Sequence, residues 1–574
     1  MKRAMAFALL AALVIASPAT AGGFLRVDGT RIVDENGQPV LLRGMGLGGW
    51  MLQEGYMLEL PQFGTQQVIR QRIEEMIGLE KTAAFYQAWL DNHTTKADID
   101  AMASWGFNSI RLPMHYGLYT LPVDQEPVAG EQTWLEEGFR RTDELLAWAK
   151  ANDMYLILDL HAAPGGQGND INISDRNPDA PSLWDSPAHQ DKMIALWRKL
   201  AERYRDEPNI AAYDIINEPN WGFENPEDRH GCEETENVPL RALLMRSTAA
   251  IREVDKKHII VVEGNCWGNN YKGVFGASGA WDDNMVLSFH KYWNVTTRDS
   301  IADILKLRDE LGVPVWLGET GENSNDWFAR AVALVESEGV GWAMWPLKKI
   351  RYNNPLQIVA NDGYLKLLAY WRGDGEKPTR EEAEQALMRF AGHDVRYENN
   401  VFHKDVVDAL FRAPHSERPA LFRDHVIAPK GGEIAAADFD MGRDGVAYHD
   451  LTPANHHVSD GGERVVWNPA MTYRNDGVDL GETANGEIYV AGMQAGEWVK
   501  YTITAEKAGA YALTLNAKGK GRVSLMLNGG DAGEGRVDTR FRKLVLLEGR
   551  NTLIVKVVRG GFDLMSLSFS PADR

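Results

Sequence analysis

Two glutamates stand where this chain could do acid/base chemistry. Glu218 closes the apolar run AAYDIINE that begins at Ala211, and Glu319 closes VPVWLGE from Val313. A protonated carboxyl that donates to a leaving oxygen, paired with a carboxylate that attacks or activates water, is the arrangement that breaks a glycosidic bond. The residue types around the pair suit that chemistry. Asn217 can hydrogen-bond a sugar hydroxyl, and Arg111 can keep a neighbouring carboxylate ionised. His161, His290 and Tyr292 can bond hydroxyls or orient a carboxylate. Trp50, Trp221, Trp267, Trp293 and Trp345 offer flat apolar faces on which pyranose rings stack.

A metal is the competing use for the histidines. The chain has no H-E-x-x-H and no pair of histidines spaced for one helix face, so no metal and no cofactor are expected. A phosphate-binding loop lysine and a serine nucleophile elbow are also absent from the sequence.

The elements that must hold these residues are legible as an alternation. Eight short apolar runs start at Leu41, Asn108, Tyr155, Ala211, His258, Met285, Val313 and Val340. Amphipathic stretches lie between them, among them 139–152, 189–205, 238–254, 300–311 and 326–337. Near-continuous apolar runs are what strands covered on both faces require. Eight of them alternating with helices predict an α/β fold, a (β/α)8 TIM barrel. A doubly wound open sheet is the other architecture, but the glycine-rich phosphate loop it needs after the first strand is missing. Arg111, His161, Asn217, Glu218, Glu263, His290, Glu319 and Trp345 all fall at the ends of runs. In a barrel those ends converge on one face.

The connection from about Gln53 to Lys96 is long and carries helical patterns at 66–77 and 81–91; it is expected either to shape a cleft or to pack on the barrel wall. Helical patterns return at 364–371, read as the barrel-closing helix, and at 380–390. Past residue 429 the pattern becomes short alternating strands between glycine-rich turns, which predicts an antiparallel β-sandwich.

Charge and processing signals bound the setting. The formal net charge of −20 disfavours nucleic acid and anionic membrane surfaces. Lys2 and Arg3, the apolar run Ala4–Ile15 and Ala19-Thr20-Ala21 form an export signal with a cleavage site after Ala21. That run is too short to span a bilayer, and no later segment reads as a span. A periplasmic or extracellular location and a monomer are expected. The two cysteines, Cys232 and Cys266, follow the fourth and fifth runs, so a single bridge is geometrically open to them, as are two separate buried thiols.

At these residues the chain resembles glycoside hydrolase family 5. The matching pieces are RGMGLGGW (43–50), GFNSIRLP (106–113), LDLHAAPGGQ (158–167), INEP (216–219), HKY (290–292), GET (318–320) and WAMW (342–345). The resemblance covers residues 24–370 and is specific as a set. It implies Glu218 as acid/base and Glu319 as nucleophile. It also implies that Asn217 binds a 2-hydroxyl, that Arg111 supports Glu319, and that His161, His290 and Tyr292 line the −1 subsite over Trp345. GLGGW and HAAPGGQ look most like the exo-β-1,3-glucanase branch, though cellulase-like members share much of the pattern.

The C-terminal part resembles family 6 carbohydrate-binding modules through GVAYHD (445–450), YRNDGVDL (473–480), GEWVKYTI (496–503) and GRNTLIVKV (549–557). It departs from that family at Ala437, where a calcium-binding glutamate would stand, and at Asp563 and Ser566. Tyr448, Trp467, Tyr473 and Trp498 are the stacking candidates there, with Trp498 read as core.

The organisation expected is a leader 1–21, a catalytic barrel 22–375, a helical extension 376–428 and a sandwich 429–574. The activity implied is retaining hydrolysis of β-glucan, β-1,3 ahead of β-1,4, with a polysaccharide or oligosaccharide as the partner. The alternatives are a β-mannan or glycolipid hydrolase on the same residues, or a non-catalytic polysaccharide-binding protein.

Overall fold

A strand buried on both faces sends alternate side chains to opposite sides, and this period of two organises the catalytic half. The computed structural model describes residues 22–351, 354–455, 458 and 468–572; the segment expected to be a leader and Trp467 lie outside them. The eight expected runs form strands β1 (Arg43–Gly46), β2 (Ser109–His115), β3 (Tyr155–Ala162), β4 (Ile210–Asp214), β5 (Ile259–Glu263), β6 (Met285–Lys291), β7 (Val315–Gly321) and β8 (Trp342–Trp345). They pair in parallel, each with its sequence neighbours, and β8 closes on β1. Ile110, Leu112 and Met114 of β2 and Leu156, Leu158 and Leu160 of β3 face outward into one large apolar core shared with the helices. Tyr155, Ile157, Val261, Val286, Trp316 and Ala343 fill the lower barrel interior with Leu25 and Ile32 of the N-terminal segment. The next inward positions up the strands are Arg111, Asp159, Asp214 and Glu263, all fully buried.

The longer helices are α1 (Gln66–Ile77), α2 (Leu79–Asn92), α3 (Lys96–Trp105), α4 (Glu136–Ala151), α5 (Pro187–Tyr204), α6 (Val238–Val254), α7 (Ala302–Leu311), α8 (Asn325–Ser337), α9 (Asp362–Arg372), α10 (Arg380–Arg389) and α11 (Lys404–Phe411). Their ends carry the expected caps. Thr95 and Asp98 form a capping box on α3, and the Ser324 hydroxyl accepts from the Trp327 amide at the start of α8. One expectation is corrected here. The helix at 362–372 does not close the barrel: Tyr364, Leu367 and Leu368 pack with Ile69, Phe85, Trp89 and Phe390 in a separate core. The first long connection and the 380–394 segment therefore make one side lobe. The barrel wall is completed by α11, whose Val406 and Leu410 join the main core and whose last residue, Phe411, meets Phe107 and Trp342.

Beyond residue 425 two sheets pack face to face. One is built on Trp498–Ala505, Gly549–Arg559, Arg522–Leu527 and Gly530–Arg536. The other is built on Leu480–Glu482, Ile488–Met493, Phe562–Pro571, Gly509–Gly519 and Arg540–Leu546. Pairing within them is antiparallel, apart from the two-residue strand Val426–Ile427, and Tyr501, Leu513, Leu525, Val555 and Leu567 fill the space between. Tyr448 is fully buried in that core. Trp498, expected inside, is instead half-buried on the outer face with Lys500 over its ring. Among the described residues no helix is long and apolar enough to cross a membrane.

Candidate active site

The site grows from a buried cation. Arg111 on β2 is fully buried, and its neighbours use its whole fork. Nε and Nη2 donate to Asp214 Oδ2 at 3.0 and 2.9 Å. Nη2 also donates to Asn217 Oδ1 at 2.8 Å and Glu263 Oε1 at 3.1 Å. Nη1 donates to Glu319 Oε1 and lies 3.3 Å from Asp159 Oδ2. Burial alone would weaken its charge, but the four carboxylates hold it firmly protonated. One guanidinium cannot balance that many acids in a dry interior. Asp214 responds accordingly: burial first, then Glu263, raise its pKa well above the carboxylate range.

Glu319 stands where the strand period breaks. Pairing of β7 shifts register on both sides, between Leu317 and Glu319 against β6 and between Leu317 and Thr320 against β8. Such a bulge re-aims a side chain, and here it turns Glu319 into the mouth. Its Oε2 accepts from Tyr292 Oη at 2.7 Å. Burial would raise its pKa, but His290, Arg111 and His161, with the Tyr292 hydroxyl, hold it below the ordinary range. Glu319 is the ionised member of the pair.

Glu218 differs. It sits just past β4 with φ 45°, a left-handed backbone uncommon for this residue, and its amide donates to Glu263 Oε2 at 2.7 Å. Burial pushes its carboxyl up to about 7, against the pull of His290. His290 Nδ1 donates to Glu218 Oε1 at 2.5 Å and lies 3.6 Å from Glu319 Oε2, and Nε2 faces Glu263 Oε1 at 3.2 Å. Burial would discharge the imidazole, but these three carboxylates raise its pKa well above the usual value. One oxygen each of Glu218 and Glu319 and a nitrogen of His290 all lie within 4.8 Å of one another. Among the described residues this trio is also the group that could hold a metal ion, although its His290 nitrogen is already engaged by Glu218.

A cavity of about 710 Å³ opens above the pair, with Tyr56, His161, His290, Tyr292 and Trp345 in its walls. Trp345 lies flat on His161, ring centres 4.9 Å apart and planes at 11°, and its indole donates to Tyr56 Oη at 3.1 Å. This explains the glycines of GLGGW: a Cβ on Gly46 would stand 2.4 Å from Trp345 Cε3 and one on Gly48 2.8 Å from Cζ2. Asp159 Oδ2 accepts from His161 Nδ1 at 2.8 Å, which leaves Nε2 to the Asn217 amide at 3.2 Å. Cys232 and Cys266 are bridged, Cα atoms 4.7 Å apart, directly before Trp267 at the cavity wall.

Two expected residues stand back from the cavity. Asn217 and Arg111 are fully buried behind its wall, where they hold other groups. Trp50 is corrected outright: it is 1% exposed, and its indole donates to the Leu90 carbonyl at 2.9 Å in the packing against α2. Its position after GLGG put it on the right strand end but could not tell which side its ring would take. Sequence reasoning missed Glu54, Asp170 and Glu322, which join the cavity walls. Glu54 is 5% exposed, and burial, then Glu319 and Glu218, raise its pKa well above the usual range. The only signal for it was its place three residues beyond Met51 in the first long connection.

The family model described as cellulase (glycosyl hydrolase family 5) matches residues 64–350, half of the chain. A β-xylosidase from Phanerodontia chrysosporium is 29% identical over 378 residues, 60% of this chain and 75% of that protein. A probable glucan 1,3-β-glucosidase A from Emericella nidulans is 28% identical over 214 residues, 36% of this chain and 50% of its own. The chain thus spans three quarters of the first relative and half of the second. A solved endogalactoceramidase structure aligns over 95% of this chain and 99% of its own, at 17% identity and a TM-score of 0.40, and says nothing about substrate.

Proposed function

The chain belongs to glycosyl hydrolase family 5, and on that premise we propose that it cleaves β-glucosidic bonds in β-glucans, β-1,3 ahead of β-1,4, by double displacement with retention. The observation that carries the reading is that one carboxylate oxygen of Glu218 and one of Glu319 lie within 4.8 Å of each other, with Glu218 pushed up to about 7 and Glu319 held below the usual range. Carboxyls about 5 Å apart leave no room for a water between sugar and base, whereas inverting pairs stand about 6.5–9.5 Å apart. Glu319 attacks the anomeric carbon while Glu218 gives its proton to the leaving oxygen. Glu218, now ionised beside charged His290, then takes a proton from water, which attacks the same carbon and releases Glu319. Arg111 and Tyr292 keep Glu319 an anion between turnovers.

The linkage preference is supported by GLGGW and HAAPGGQ and by the relative named for 1,3-β-glucoside cleavage. A second reading, release of xylose, is favoured by the name of a relative of which this chain covers three quarters. Export is supported by the Cys232–Cys266 bridge, which suits an oxidising compartment. Sugar binding by the sandwich belongs to the same proposal and is supported by half-buried Trp498 on its outer face.

The experiment is product analysis with laminarin, carboxymethyl-cellulose, pustulan, mannan and xylan, with Glu319→Gln alongside. Product from laminarin by wild type alone is expected, glucose if the action is exo and mixed oligosaccharides if it is endo. Xylose from xylan moves the assignment to the second reading. No product from any of these, with intact folding, contradicts both.

A further inference from the structure

We propose that the β-sandwich is a working part of the catalytic site, with Asn475 as a positioning residue that fixes the loop behind Glu319 and, through Asn323, the tyrosine that holds Glu319. The inference rests on the reading of Glu319 as nucleophile.

The loop Glu322–Ser324 joins β7 to α8. Glu322 has φ 52°, left-handed backbone for a residue with a side chain, and such conformations persist only where the surroundings over-determine them. The sandwich supplies much of that constraint. Asn475 Nδ2 donates to the Asn323 carbonyl at 2.7 Å, and the Asn475 carbonyl accepts from the Asn325 amide at 2.8 Å. The Asn475 amide donates to Asp405 Oδ2 at 3.0 Å, and the same oxygen accepts from Asn325 Nδ2 at 2.7 Å. Asn475 is 2% exposed and Asn323 is fully buried, so neither can exchange a lost partner for water without opening the joint.

Simple gluing of two domains would explain those bonds. It does not account for where the loop points next. Asn323 Nδ2 donates to the Tyr292 carbonyl at 2.9 Å, and Tyr292 Oη donates to Glu319 Oε2 at 2.7 Å. The sandwich is therefore two residues removed from a hydrogen bond that helps keep the nucleophile ionised. Removing the Asn475 side-chain amide takes away the hydrogen bond it gives to the buried Asn323 carbonyl. The relief open to the loop is a rotation at Asn323, which releases Tyr292.

The test uses the full chain and three variants, Asn475→Ala, Asn323→Ala and, as a junction control, Asp326→Ala. Asp326 accepts from the Asp444 amide at 2.9 Å, a barrel–sandwich contact away from the Tyr292 link. For Asn475→Ala and Asn323→Ala, kcat is expected to fall about 10- to 100-fold with little change in KM. The acidic limb of the pH profile is expected to move upward as Glu319 loses its hydroxyl partner. Asp326→Ala should lower thermal stability and leave that limb in place. Wild-type kcat and an unmoved limb in Asn323→Ala overturn the inference, even if Asn475→Ala fails to fold. So does an equal limb shift in Asp326→Ala. If Glu319→Gln retains activity, the reading of the site fails instead, which keeps the two outcomes distinct.

Discussion

Replacing His290 by asparagine removes a positive charge that faces both catalytic carboxylates. The imidazole lies 2.5 Å from Glu218 Oε1 and 3.6 Å from Glu319 Oε2. At an effective dielectric of 20, unit charges about 4 Å apart interact by about 4 kcal/mol, or about three pKa units at 1.36 kcal/mol each. That is a ceiling, because water entering the gap screens the carboxylates in the variant. A rise of about one to three units for Glu218 is expected. Its wild-type value of about 7 sets the alkaline limb of kcat/KM, since the acid must be protonated to help the leaving group. The acidic limb is set by Glu319, which must be ionised. His290 lowers both groups, so both limbs move to higher pH in His290→Asn and the optimum becomes alkaline. The assay is kcat/KM on a p-nitrophenyl β-glucoside from pH 3 to 10, which reports the free enzyme. The same titration on a dinitrophenyl glycoside should lack the alkaline limb, because that leaving group needs no proton. Limbs that stay in place, or an acid shift, refute the electrostatic assignment.

Three further outcomes follow from particular contacts. Gly46→Ala puts a methyl 2.4 Å from the Trp345 ring and should cost about 1–3 kcal/mol of stability, with kcat/KM on laminarin falling more than in a Gly→Ala variant at exposed Gly29. Trp50→Phe deprives the Leu90 carbonyl of its indole partner; denaturant melts should report a loss of about 1–3 kcal/mol, with KM unchanged because Trp50 does not reach the cavity. For Asp255, burial opposes ionisation, but the His258 and Tyr213 bonds lower the pKa to about 2. Its contribution is therefore complete above the unfolded value near 4 and is lost as pH falls toward 2. Urea melts of wild type and Asp255→Asn should differ by about 1–2 kcal/mol at pH 6, after allowance for screening, and converge near pH 2.

The barrel was legible because its strands are buried on both faces and read as apolar runs. Period two within them also places residues that are not at the ends of the runs. Asp159, two residues before His161, and Asp214, below Asn217, are inward by the same alternation that places Ile157 and Ala212 inside. The bulge before Glu319 has no such signature, since register is a property of two strands. The closing helix was placed at α9 because its pattern is the first after β8, whereas α11 is a short helix inside a charged, less regular stretch, and only the side lobe, assembled from segments far apart in the chain, decides which one packs on the barrel. Gly530–Arg536 reads GDAGEGR, with no apolar face to announce a strand. Asn475 is silent in sequence because its significance is a contact made by a separate domain.

The most direct test of the central claim is to trap the covalent intermediate. Wild-type protein incubated with 2,4-dinitrophenyl 2-deoxy-2-fluoro-β-glucoside should lose activity as it gains a single fluoroglucosyl group, and mass spectrometry of the digest should find it on Glu319. The label on Glu218, or continued turnover with no label and an initially α-configured product, would contradict the account.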